Sequence, residues 1–266
     1  MVACLVFTAG SASAAKLVNL QQFLPPGGNP QSVIVDVKNA NSILVVGATV
    51  NGNYDLNSFT YNGVAPDGTV GSGTNNRAYF AYWLHPATGT NTLTITLSQG
   101  LYSTTRAIQA AELTGIDLSN PVNASASGTN NTTTISTLSN TNGAGVCVVD
   151  FTYNNANTTG ATVSPASGSI LAIPDGGSLY LGASGQESIL GSGSVAGTAG
   201  TQQLGWNFSN PGTIYTELAV AFNQALLIDV SASVSPSSGQ VGDSFTVTAN
   251  ASPGIGSTVT NVRQWK

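Results

Sequence analysis

Charge is what this sequence has least of. Six basic and eleven acidic residues make up 6% of its 266 positions, against about a quarter in ordinary soluble domains. The basic residues Lys16, Lys38, Arg77, Arg106, Arg263 and Lys266 are scattered. Binding to phosphate needs grouped cations that release counterions, so nucleic acid is not an expected partner. Histidine occurs once, as His85, and cysteine twice, as Cys4 and Cys147. Zinc draws three or four clustered Cys, His or carboxylate ligands, more than this inventory supplies. A nucleophilic relay would have to use His85, which precedes Pro86 in a turn-like stretch, and no G-x-S-x-G elbow is present. Gly191, Gly193 and Gly197 lack the Lys and the following helix of a phosphate-binding loop. No apolar run approaches the roughly 20 residues that cross a bilayer, so no membrane span is expected.

What is there begins with a leader-like stretch. Val2 to Ala9 is apolar, and small residues ending Ala12-Ser13-Ala14 form an A-x-A site with cleavage expected before Ala15. No Lys or Arg precedes the apolar stretch, which points to missing upstream residues. Residues 1–14 read as a signal peptide, with Cys4 inside it and too near the start for a lipid-anchor box. The expected location is extracellular or at the cell surface. The mature chain then has one thiol, Cys147, and no intrachain disulfide. Within Val146-Cys147-Val148-Val149 that thiol reads as a small buried hydrophobe, the alternative being a reactive or intermolecular thiol. Asn-x-Ser/Thr triplets at Asn123, Asn130, Asn131, Asn157, Asn207 and Asn250 follow from an Asn- and Thr-rich composition, and no modification is expected.

Short β-branched runs between Gly, Asn, Ser and Pro clusters predict an all-β, antiparallel sandwich, jelly-roll-like or immunoglobulin-like, with a closed barrel as the other architecture. The predicted strands are 32–37, 43–50, 59–61, 78–84, 92–97, 106–113, 132–138, 146–153, 178–181, 202–208 and 215–222. Asn62-Gly63 is a two-residue hairpin signal, since both positions tolerate positive φ. Leu93, Ile95 and Leu97 alternate with Thr92, Thr94 and Thr96, as in a strand with one buried face. Ile43-Leu44-Val45-Val46 and Val146-Cys147-Val148-Val149 are apolar on both faces and predict central strands. Residues 183–200 are rich in Gly, Ser and Ala and read as a mobile loop or weak strand edge. The expected organisation is a linker at 15–30, one sandwich over 31–223, a linker at 224–231 and the incomplete start of a second sandwich module over 232–266, which is too short to bury a core alone.

Two resemblances extend this reading. The series Ile43-Leu44-Val45-Val46-Gly47, Phe59-Thr60-Tyr61-Asn62-Gly63-Val64-Ala65, Asn76-Arg77, Pro86-Ala87-Thr88-Gly89-Thr90 and Leu113-Thr114-Gly115-Ile116-Asp117 through Pro121-Val122 resembles uncharacterised secreted β-sandwich modules of bacterial, archaeal and phage surface proteins. Ala81 departs from it, standing where the family pattern has a Trp. Val234-Ser235-Pro236-Ser237-Ser238-Gly239, Phe245-Thr246-Val247-Thr248-Ala249 and Val262-Arg263-Gln264-Trp265-Lys266 resemble the start of a polycystic-kidney-disease, immunoglobulin-like module. Such modules serve as spacers in large extracellular proteins, so the resemblance implies a multidomain surface polypeptide and no catalytic residues.

Candidate chemistry is sparse. Glu112 and Asp150 are the pair that could converge on a glycosidic bond, but strand alternation predicts that each points to solvent. A structural calcium ion is a further possibility for an acidic extracellular sandwich. Asp55, Asp67, Asp117 and Asp175, beside Gly, Asn or Ser, read first as turn caps. The richest binding feature is Tyr79-Phe80-Ala81-Tyr82-Trp83-Leu84. A strand apolar on both faces reads as central and packed; its alternative is an exposed platform in which Tyr79, Tyr82 or Trp83 stacks on sugar. The expected function is a non-catalytic extracellular structural or adhesive module whose partners are surface glycans or other extracellular proteins. The alternative is a carbohydrate-binding module using those three aromatics, and a glycoside hydrolase ranks below it. Sheet edges and low charge also permit self-association.

Overall fold

A computed structural model describes residues 15–23, 28–50, 55–71, 78–98, 105–129, 132–138, 145–154, 163–165, 169–170, 180–181, 187–196, 200–209, 215–226, 228–235, 245–253 and 259–265. All regular structure among them is β. The first eight strands are β1 (Lys16–Phe23), β2 (Gln31–Val37), β3 (Ile43–Val50), β4 (Leu56–Tyr61), β5 (Gly68–Gly71), β6 (Ala78–Leu84), β7 (Gly89–Leu97) and β8 (Thr105–Thr114). They form two antiparallel sheets, β1-β8-β3-β6-β5 and β2-β7-β4. The pairs β1 with β8, β2 with β7 and β3 with β6 are nested, as when one long hairpin is wrapped around a barrel axis. That nesting is the jelly-roll arrangement.

The pattern then repeats. Strands β9 (Val122–Thr129), β10 (Thr132–Thr137), β11 (Val146–Asn154), β12 (Val163–Pro165), β13 (Ser169–Ile170), β14 (Tyr180–Leu181), β15 (Glu187–Ala196), β16 (Gly200–Phe208) and β17 (Tyr215–Asn223) follow. They give the sheets β13-β15-β11-β17-β9, with β14 on β15, and β10-β16-β12. β9 pairs β17, β10 pairs β16 and β11 pairs β15, nested as before. The stretch read as one sandwich therefore holds two units of the same topology. The ends of the two are tied together: Asp117 N–H donates to Asn223 O at 2.9 Å, and Ala225 N–H donates to Gly115 O at 2.9 Å. Beyond them β18 (Ile228–Ser235), β19 (Phe245–Pro253) and β20 (Val259–Trp265) form a separate antiparallel sheet.

Apolar side chains fix how the layers stack. Leu44, Val46, Ala81, Trp83, Ile108 and Ala110 pack on Val35, Phe59, Tyr61, Leu93 and Ile95 of the first outer sheet. The opposite face of the same strands, with Ile43, Val45, Phe80 and Leu113, packs on Cys147, Val149, Phe151, Leu218, Val220 and Phe222. Val146, Val148, Ala219 and Ala221 then face Leu204 of the second outer sheet. The result is four sheets in series, with the two inner ones covered on both faces. That is why residues 43–46 of β3 and 146–149 of β11 are apolar on both faces. Gly47 lies at the seam, where its bare Cα admits the Phe151 ring against the β3 backbone.

Several segments differ from the sequence reading. Lys16–Phe23, within the stretch read as a linker, is an edge strand; positive φ at Asn19 and a register shift between Val18 and Gln21 break its alternation. Residues 187–196 form a strand between β11 and β13 and not a loop or a strand edge. Its Gly- and Ser-rich sequence hid it, because backbone pairing leaves no mark on side-chain periodicity. Asn62 and Gly63 form the hairpin turn with φ of 50° and 76°. After one bridge between Tyr61 and Val64 the chain crosses to pair β5 with β6 in the other sheet. Residues 1–14, with the leader and Cys4, lie outside the described residues, as does Asp175.

Candidate functional site

The aromatic strand β6 belongs to the interior. Its register against β3, from Ile43 opposite Leu84 to Thr49 opposite Ala78, sends Tyr79, Ala81 and Trp83 into the first unit and Phe80 and Tyr82 toward the seam. Trp83 is 2% exposed. Its ring meets Phe59 edge-on at 6.3 Å and Tyr61 at 6.1 Å, and its Nε1–H donates to Val64 O at 3.0 Å. Tyr79 is 5% exposed, and its hydroxyl accepts from Leu56 N–H at 2.9 Å. Tyr82 is half-buried, edge-on to Phe222 at 5.4 Å, with its phenol over the bare Cα of Gly68. Burial pushes the Tyr82 hydroxyl above its ordinary pKa, and Asp67 adds to this. The three rings do not form an exposed strip, so they offer no flat platform to a sugar.

Neither acid points to solvent, contrary to the alternation argument: Glu112 and Asp150 are both fully buried. Alternation assigns a polar residue to a wet face, but the inner sheets have none. Glu112 faces the first outer sheet, on the side of Ile108 and Ala110, and Asp150 faces the second, on the side of Val146 and Val148. They point away from each other across the seam and do not make a catalytic pair.

Glu112 holds a loop. It accepts from Lys38 N–H at 2.8 Å, Asn39 N–H at 2.8 Å, Asn39 Nδ2 at 2.7 Å and Asn19 Nδ2 at 2.6 Å. Burial works against its charge, yet the four donors outweigh it and the pKa lies below the ordinary carboxylate value. A depressed folded pKa confers stability above the unfolded value and loses it as pH falls through the folded one. Glu112→Ala is expected to cost about 3 kcal/mol, since charged hydrogen bonds are worth roughly 1.5–3 kcal/mol each and two backbone donors are stranded. Glu112→Gln should flatten the acid limb of stability against pH, measured by urea unfolding between the ordinary carboxylate range and strongly acidic buffer.

Asp150 meets a different set of groups. Trp206 Nε1–H donates to Asp150 Oδ2 at 2.9 Å. Glu217, which the sequence reading passed over, lies one diagonal rung away, because Asp150 pairs with Ala219 and Thr152 with Glu217. Burial first, and then the charge and hydrogen bond of Asp150, hold the Glu217 pKa well above the ordinary value. Glu217 could have been found from an acid inside the apolar run Tyr215 to Phe222, in a stretch with no Lys, Arg or His between Arg106 and Arg263.

The remaining candidates serve the fold. His85 is an exposed turn residue at φ 51°. Cys147 is buried, and burial first, then Asp150, push its thiol pKa up to about 12, which suits a packing residue. Asp117 Oδ1 accepts from Ser119 N–H at 3.1 Å and Ser119 Oγ at 2.6 Å, and Asp67 Oδ2 accepts from Leu84 N–H at 2.7 Å. Among the described residues no three His, Cys, Asp or Glu side chains gather as metal ligands, and no helix is long and apolar enough to cross a membrane.

The first outer sheet turns hydroxyls outward. Register places Thr60, Thr94 and Ser32 in one row and Thr92 opposite Ile34, with Ser58 opposite Thr96. Ser32 Oγ and Thr94 Oγ1 share a hydrogen bond of 2.9 Å. The corresponding strands of the second unit repeat it, with Ser136 Oγ 3.1 Å from Thr201 Oγ1. Comparison with protein-family models, curated proteins and solved structures found no match for the chain.

Proposed function

We propose that the chain is a non-catalytic extracellular structural or adhesive module of a larger secreted or cell-surface polypeptide. One observation carries this reading: among the described residues Glu112, Asp150, Cys147, Tyr79 and Trp83 are buried inside the fold, while the outer sheet presents a row of hydroxyls. Glu112 anchors the β2–β3 loop, Asp150 accepts from Trp206, and Trp83 donates to Val64. On the outer face, hydroxyls recur at about 6.8 Å along a strand and about 4.8 Å between strands, with the exposed Ile34 among them, a mixed surface suited to contact with glycans or extracellular proteins. The resemblance to secreted sandwich modules and to a spacer-like tail belongs to the same reading.

The test is retention of bead-coupled full chain on a glycan array and on immobilised extracellular proteins, with Thr94→Lys as the variant. Saturable retention reduced at least tenfold in Thr94→Lys, at an unchanged unfolding midpoint, is expected. Retention indifferent to Thr94→Lys would remove the hydroxyl face from the reading, and turnover of a glycoside, ester or peptide by the wild type would overturn its non-catalytic part.

A further inference from the structure

Two acids buried together in a unit without a single cation need another means of neutralisation. Asp150 and Glu217 are both 0% exposed, and they share the face of β11 and β17 that packs on β16. Trp206 Nε1–H reaches Asp150 Oδ2, whereas neither Glu217 oxygen accepts from an N–H or hydroxyl. The Thr152 hydroxyl beside Glu217 favours its charged form but gives its proton to Thr216 O at 3.0 Å.

The described strands of this unit carry no cationic side chain, and the sequence has no Lys, Arg or His between Arg106 and Arg263. β9, β10, β12, β13 and β16 carry no titratable side chain. β15 contributes Glu187, at the rung of Asn154. β14 contributes Tyr180, and β17 contributes Tyr215 at that same rung. On the reverse face of β11 lie Cys147 and Tyr153. Every one of these groups is neutral or negative when it titrates.

We propose that Asp150 and Glu217 share one proton in the folded protein, and that loss of this proton on alkalinisation loosens the second unit while leaving the first intact. Two adjacent carboxylates cannot both ionise cheaply out of water, and a carboxyl–carboxylate hydrogen bond satisfies the oxygens that no N–H reaches. The direction of the Glu217 shift agrees with this. A raised folded pKa gives a contribution that is complete below the unfolded value and declines as pH rises to the folded one. The alkaline limb therefore belongs to the second unit and the acid limb to Glu112 in the first. The inference does not depend on the adhesive reading.

The test uses the full chain, with Glu217→Gln and Asp150→Asn. Infrared difference spectra of the wild type at pH 7 should show the C=O stretch of a protonated carboxylic acid, absent from Glu217→Gln. The folding constant from urea unfolding should fall by up to tenfold per pH unit above the ordinary carboxylate range, as one retained proton requires; the fall should vanish in Glu217→Gln and begin at lower pH, with a smaller total, in Asp150→Asn, where burial alone raises the Glu217 pKa. Hydrogen exchange at raised pH should quicken in β11 and β17 before β3 and β8. Absence of the protonated band in the wild type would overturn the proposal whether or not the variants fold. Parallel pH profiles of wild type and variants would also overturn it. So would an alkaline limb abolished by calcium and restored by a chelator, which would give the pair to a cation.

Discussion

Gly47→Ala is expected to destabilise the protein by about 3 kcal/mol, the upper end of the usual cost of overpacking a core. A Cβ at this position would fall inside the Phe151 ring, against Cγ, Cδ2 and Cε2. Both partners are fixed: Gly47 sits mid-strand between β6 and β8, and Phe151 sits mid-strand between β15 and β17. Relief therefore requires one sheet to move off the other. The clash has a signature that ordinary loss of stability lacks. Phe151→Ala alone should cost about 3–5 kcal/mol, and Gly47→Ala added to it should cost almost nothing, since the space is then open. Additive losses in this double-mutant cycle, measured by urea unfolding, would mean that the seam is not packed as described. Gly68→Ala, placed against the half-exposed and swingable Tyr82 phenol, should cost well under half as much.

Trp83→Ala is expected to cost about 4 kcal/mol, in the range for truncating a large core aromatic. Three losses combine: the burial of the ring, its contacts with Phe59 and Tyr61, and the donor to Val64 O that pins the Asn62-Gly63 turn. Tyr82→Ala should cost less, because that ring is only half-buried. The pair separates core from platform. A sugar-stacking Trp83 would lose binding with little change in unfolding midpoint, whereas a core Trp83 lowers the midpoint first. Thermal unfolding followed by near-UV circular dichroism distinguishes the two outcomes.

The central strands were legible because their physics is visible in side chains. Ile43–Val50 and Ala78–Leu84 were predicted to the residue, since both faces are apolar and the sequence at both ends is polar. Strands held mainly by backbone pairing were not. β9, with Val-Asn-Ala-Ser-Ala-Ser-Gly-Thr, and β15, with Glu-Ser-Ile-Leu-Gly-Ser-Gly-Ser-Val-Ala, carry small or polar residues that look like loop. The duplication was hidden for the same reason, because nested pairing is a property of hydrogen bonds and leaves no repeated motif. The acids show the converse limit. Alternation placed Glu112 and Asp150 on a wet face, which a four-layer stack does not have on its inner sheets. The apolar runs 43–46 of β3 and 146–149 of β11 already carried that information, since a sheet whose central strand is apolar on both faces has no wet side, either for an acid of that strand, as Asp150, or for one of its neighbour, as Glu112.

Two like-folded units are fused through one apolar seam. Native-state hydrogen exchange of the full chain at neutral pH, where Asp150 and Glu217 keep their shared proton, tests this most directly, read strand by strand. If the seam is the common core, β3, β6 and β8 of the first unit and β11 and β17 of the second should be the slowest to exchange, with one shared opening free energy, and Gly47→Ala should accelerate all five together. Exchange of β11 and β17 at a rate independent of β3, β6 and β8, with Gly47→Ala felt on one side alone, would contradict it.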